Sequence, residues 1–137
     1  MKKKWKIIII LVSIAFIAGI GYALYILYMP ERDVRDEKGI EITAVAIFDS
    51  FTNNENKANA AFLNKAIQVT GVVTNVKKNQ AGQTVVILES GDPVFGVNCT
   101  FKEDPGAIQN GSTISFKGIC TGFLSDVVIN EGILLKK

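Results

Sequence analysis

The chain has 137 residues, 48% of them apolar, with 15 Lys and Arg against 13 Asp and Glu and no histidine. The missing imidazole excludes Ser-His and Cys-His nucleophilic pairs and removes the commonest zinc ligand, and two cysteines alone fall short of a structural zinc set. The net charge of +2 is unevenly placed: four lysines precede residue 7, and the other 11 basic residues against 13 acids leave residues 30–137 at −2, a balance that disfavours a nucleic-acid partner.

Ile7 to Met29 is a run without a charged side chain, directly behind Lys2, Lys3, Lys4 and Lys6. As a helix it would reach roughly 34 Å, enough to cross a hydrocarbon core of about 30 Å. The lysine excess on its N-terminal side outweighs the mixed charges of residues 31–38, so residues 1–6 are expected in the cytoplasm and the remainder outside, on a single-pass anchor in the cytoplasmic (inner) membrane. Trp5 at one end and Tyr25 and Tyr28 at the other match the interfacial preference of amphipathic rings. The rival reading, a cleaved secretory signal, requires a shorter apolar core and a small-residue cleavage site, and no A-x-A-like site follows the run. Ala15, Gly19 and Ala23 recur every four residues, a seam through which two such helices would dimerise.

Pro30 to Gly39 is short, charged and poor in large apolar residues, so residues 30–40 read as a solvated stalk and residues 41–137 as one domain. Thr43 is placed as the N-cap of a short apolar helix with Ile42, Val45, Phe48 and Phe51 on its inner face. Asn53 and Asn54 interrupt it, and Glu55 to Asn64 resumes the helical pattern. From Ala66 the period falls from about 3.6 to 2. Five strand-like runs follow: Ile67–Val76, Thr84–Leu88, Phe95–Phe101, Thr113–Cys120 and Val127–Leu135. Lys77 to Gly82 and Ser90-Gly91-Asp92-Pro93 are turns between them. The expected fold is mainly β with a short helical N-terminal part, an α+β domain built as a five-stranded barrel of the oligonucleotide- and oligosaccharide-binding (OB) type. Gly71 is the expected bend of its long first strand.

Four stretches carry a family resemblance: Glu55-Asn56-Lys57-Ala58-Asn59, Val69-Thr70-Gly71-Val72-Val73, Val97-Asn98-Cys99-Thr100-Phe101 and the run Gly118 to Val128. They resemble the tRNA-anti-like group of bacterial OB-fold proteins over roughly residues 43–130. That resemblance implies a small envelope protein, membrane-anchored or lipidated. The chain departs from the group's pattern in lacking a lipid-accepting cysteine after the apolar run and in carrying Asn130-Glu131-Gly132 where many relatives have a further cysteine.

Asp49, Asp92, Glu103, Asp104 and Asp126 are too dispersed to form a catalytic carboxylate pair, and no phosphate-cradling glycine fingerprint lies in the domain, so neither an enzyme nor a cofactor or metal protein is expected. The expectation is a non-enzymatic binding or interaction module for an envelope protein or glycan, with single-stranded nucleic acid as the alternative. In OB folds the ligand lies on the second and third strands and on the loops that join strands one to two and four to five. Those loops offer Lys77 and Lys78 on one side, and Phe123, expected as the one exposed aromatic, on the other. Phe95, Phe101 and Phe116 are in phase with the core. Asp126 reads either as a strand-start residue bonded to local backbone or as a ligand contact. Cys99 and Cys120 both point inward, as reduced thiols or as a disulfide.

Overall fold

A computed structural model describes residues 2–30 and 32–136, which divide into two compact units at Arg32/Asp33. The first is helix α1, Lys2–Leu27, whose best window has a mean hydropathy of 2.7, long and apolar enough to cross a membrane. Its helical turns end at Leu27, so Tyr28 and Met29, counted with the span from sequence, lie just past it. Nothing lies within 4 Å of where a Gly19 side chain would stand, which leaves the Ala15-Gly19-Ala23 stripe open.

The second unit begins earlier than the sequence suggests. Residues 30–40 were expected to form a solvated stalk, yet from Asp33 onward they fold onto the barrel. A 3-10 turn at Val34–Asp36, capped by the Asp33 carboxylate accepting from the Arg35 amide, buries Val34 to 1% exposure. Lys117 Nζ donates to the carbonyls of Arg35 and Glu37 at 3.3 and 2.8 Å, and Arg35 pairs with Glu103. The chain then enters β1, Ile40–Thr43, a strand absent from the sequence reading. The charges that suggested solvent are the groups that satisfy this crossing.

Helix α2, Ala44–Asn53, starts where expected: Thr43 Oγ1 accepts from the Ala46 amide at 3.2 Å. Asn54 closes α2 and caps α3, Glu55–Phe62, accepting from the Lys57 amide at 3.1 Å. The buried face of α2 is Ala44, Ile47, Phe48 and Phe51; Val45, assigned to that face from sequence, is 46% exposed. The inward stripe runs through Ala44, which sits against Gly71, rather than through Val45.

Five strands close the barrel: β2 Ala66–Lys78, β3 Thr84–Leu88, β4 Val97–Phe101, β5 Thr113–Leu124 and β6 Asp126–Lys136. Their order is β2-β3-β4-β6-β5, with β2 also paired to β5. All contacts are antiparallel except β4–β6. This is the OB arrangement, with a long apolar helix ahead of it. The first half of β2, Ala66–Val72, pairs with β5, and the second half, Val73–Lys78, pairs with β3. The changeover falls beside Gly71, as the sequence suggested. A Cβ there would stand 2.8 Å from the Ala44 Cβ and 3.1 Å from Leu88 Cδ1, so glycine is what lets α2 close over the bend. The sixth strand, β1, pairs in parallel with Ile67–Thr70. Inward residues of all five barrel strands, among them Val69, Val86, Cys99, Phe116 and Ile129, form one core under Phe48 and Phe51.

Candidate ligand-binding face

Alternation and register define the outer surface of the barrel. Val73, Val86, Leu88, Val97, Cys99 and Phe101 are buried, so their neighbours along each strand point outward. Register aligns Asn75 with Ile87, Ile87 with Asn98 and Asn98 with Val128 in one cross-strand row. A second row runs Lys77–Val85–Thr100, in which Val85 is buried at 5% exposure. These two rows contain no carboxylate and no aromatic ring. They offer amides, a hydroxyl and one ammonium over apolar surface.

Lys77 and Lys78 close the β2–β3 hairpin at one end of this face. Lys77 is exposed in the outward row, whereas Lys78 Nζ donates to Thr84 Oγ1 at 2.8 Å. The hairpin itself is ordered: Asn79 Oδ1 accepts from the Gln83 amide at 2.9 Å, and Gly82 takes φ +80. A recess of about 160 Å³ opens beside it, lined in part by Lys78, Thr84, Lys102 and Glu103. A larger recess of about 790 Å³ lies elsewhere, where Glu37–Glu41 crosses Gln68 and Lys117.

The structure places the other two candidates at the opposite end of the barrel, away from the lysines. Phe123 is not an exposed aromatic. Strand β5 continues to Leu124 rather than stopping at Cys120, and the Phe123 ring stacks on Phe51 with centroids 5.6 Å apart and meets Phe48 edge-on at 5.9 Å. Phe95, assigned to the core, is the exposed ring at 43%. The alternation that included it breaks at Gly96, since β4 begins only at Val97 and the preceding loop is shaped by its own hydrogen bonds. Asp126 starts β6, and its Oδ1 accepts from the Gly96 amide at 2.8 Å. The Gly96 carbonyl in turn accepts from the Val127 amide at 3.1 Å, so the pair seats β6 on β4. The bonded backbone is 30 residues away rather than local.

Cys99 and Cys120 are free and buried. Both are register partners of Ile129, one from each side of β6. Two strand spacings put their Cα atoms roughly 9–10 Å apart, beyond the ~7 Å limit for a disulfide. Burial pushes both thiols above the usual 9.0, Cys99 most strongly. Among the described residues no three His, Cys, Asp or Glu groups converge as a metal site. Sequence reasoning missed the exposure of Phe95; the turn signal at Ser90 to Pro93, just before it, was the available warning.

Comparison with known proteins agrees with this architecture. A lipoprotein of Klebsiella pneumoniae, described as a candidate nucleic acid-binding protein, superimposes with a TM-score of 0.53 at 22% identity, over 70% of this chain and 92% of its own. The yeast Stn1 and Ten1 structure aligns with a TM-score of 0.45 at 12% identity, covering 74% of this chain and 65% of that one. No curated protein matches the chain. The tRNA_anti-like family model matches residues 1–132. With its OB barrel and apolar leading helix inside that match, the chain belongs to the tRNA_anti-like family.

Proposed function

We propose that the chain is a membrane-tethered OB module that binds without catalysing, and that its ligand is a single-stranded nucleic acid laid across the outward rows of β2, β3 and β4. The observation that carries this reading is the segregation of charge. The domain is acidic as a whole, yet the rows through Asn75, Ile87, Asn98 and through Lys77, Thr100 contain no carboxylate, and Lys77 and Lys78 stand at their edge. Strands two and three of the barrel are where OB folds hold oligonucleotides. The description of the Klebsiella lipoprotein supports the same ligand class. The absence of stacking rings on this face makes the interaction electrostatic and weak, because base–aromatic stacking supplies about 1–3 kcal/mol per base where it exists. The lysines at the N-terminal end of α1, ahead of its apolar run, orient the domain to the outer side of the cytoplasmic membrane, where the ligand would be met.

The test is fluorescence anisotropy of a labelled oligothymidylate with the full chain in detergent or nanodiscs. Two phosphates neutralised by Lys77 and Lys78 predict a slope of log K against log salt of about −1.4. Lys77→Glu combined with Lys78→Glu should abolish binding. No binding at low salt, or binding indifferent to salt and to those substitutions, overturns the reading. Protease accessibility of the domain in spheroplasts, compared with lysed cells, checks the topology separately.

A further inference from the structure

The end of the barrel opposite the lysines carries a second surface with different chemistry. Val94 and Phe95 in the β3–β4 loop and Leu124 at the β5–β6 turn are 76%, 43% and 83% exposed. The Gly96–Asp126 and Gly96–Val127 hydrogen bonds hold the two connections side by side. We infer that this apolar tip docks a protein partner that presents an apolar recess rimmed by Lys or Arg.

Two observations support a built surface rather than a loose loop. First, the loop is ordered by its own side chains. Asp92 Oδ1 accepts from the Val94 and Phe95 amides at 2.8 and 2.9 Å, and the Ser90 hydroxyl donates to the Phe95 carbonyl. Exposed apolar groups on a pre-ordered backbone lose little further entropy on docking. Second, the two segments that carry the tip are anionic. Residues 79–101 and 118–135 contain no Lys or Arg, while Glu89, Asp92 and Asp126 sit in or beside the two connections. Backbone hydrogen bonds hold the Asp92 carboxyl below its usual range, so it stays charged. The nearest cation in the chain leading into β2, Lys65, is turned toward the Ala60 carbonyl at 3.3 Å.

Charge complementarity then selects the occupant. Nucleic acid and an anionic bilayer are repelled, and a two-fold pairing of tips would bring two sets of carboxylates together. A basic rim around an apolar recess satisfies both features.

The experiment places a photo-crosslinking phenylalanine analogue at position 95, 124 or 77 of the full chain in its own membrane. The expected result is the same heterologous protein adduct from positions 95 and 124 and none from 77. Glu89→Lys should weaken it roughly two- to fivefold, the effect of losing one exposed charge pair, with the melting midpoint of that variant unchanged. Adducts to lipid, to a second copy of the chain or equally from position 77 would overturn the inference, as would no adduct or one indifferent to Glu89→Lys.

Discussion

Replacing Gly71 with alanine tests how the barrel closes. The new Cβ would stand 2.8 Å from the Ala44 Cβ, 3.1 Å from Leu88 Cδ1 and 3.4 Å from Leu88 Cβ. Gly71 does not have positive φ, so the penalty is steric and not conformational. The Leu88 side chain can give slightly. The Ala44 methyl cannot, because Thr43 caps the helix and fixes its first turn over the bend. Overpacking of this kind costs about 1–3 kcal/mol. At roughly 2.1 cal/mol/K per residue the folded unit of about 105 residues has an unfolding entropy near 0.22 kcal/mol/K, so a 2 kcal/mol loss lowers the melting midpoint by about 9 °C. Circular dichroism melts of Gly71→Ala, Ala44→Gly and the double variant form the assay. Ala44→Gly removes the clashing methyl, so the double variant should be more stable than the sum of the single effects by about 1 kcal/mol or more. A Gly71→Ala protein melting within a degree or two of the parent, or single effects that simply add, would refute the argument that this contact sets the closure.

Two further outcomes follow from the hydrogen bonds and the core. Asp126→Ala leaves the Gly96 amide without its acceptor and should cost about 1–3 kcal/mol in a denaturant titration, while Asp126→Asn, which keeps an acceptor, should cost less; an Asp126→Ala protein of parental stability that had lost a binding activity would instead make Asp126 a ligand contact. Cys99 and Cys120 should resist alkylation in the folded protein and both react once it is unfolded without reductant. Because burial raises both thiols above 9.0 in the folded state, their contribution to stability is complete below 9.0 and is lost as pH rises through the folded values. The denaturation midpoint should therefore hold steady below about pH 9 and fall above it, and Cys99→Ala should show a shallower fall; an equal fall in both would disprove that assignment.

Much of the fold was legible because the signals are local. The α1 hydrophobic run, the Thr43 and Asn54 caps, the Thr84–Leu88 strand and the glycine bend at 71 each depend on side chains within a few residues. The candidate site was legible only in part. Lys77 is exposed but lies at the end of β2 rather than in the turn expected from sequence, and Phe123 and Phe95 exchanged roles. An alternating run shows which residues share a face and does not show where the strand begins; here Gly96 and the Asp92 turn end the alternation before Phe95. Phe123 is covered by α2, an element more than 70 residues earlier, and no local pattern reports that.

The sequence by itself determined an apolar helix long enough to span a membrane, a helix-then-strand order and the absence of imidazole chemistry, since these follow from composition, period and capping. Tertiary structure decided the rest. It drew the charged segment after Asp33 onto the barrel through Lys117 and added β1 to β2. It placed two thiols on opposite sides of β6, out of bonding reach. It also sorted an acidic domain into a carboxylate-free face and an anionic apolar tip, a separation that net charge averages away and that only strand register and loop hydrogen bonds create.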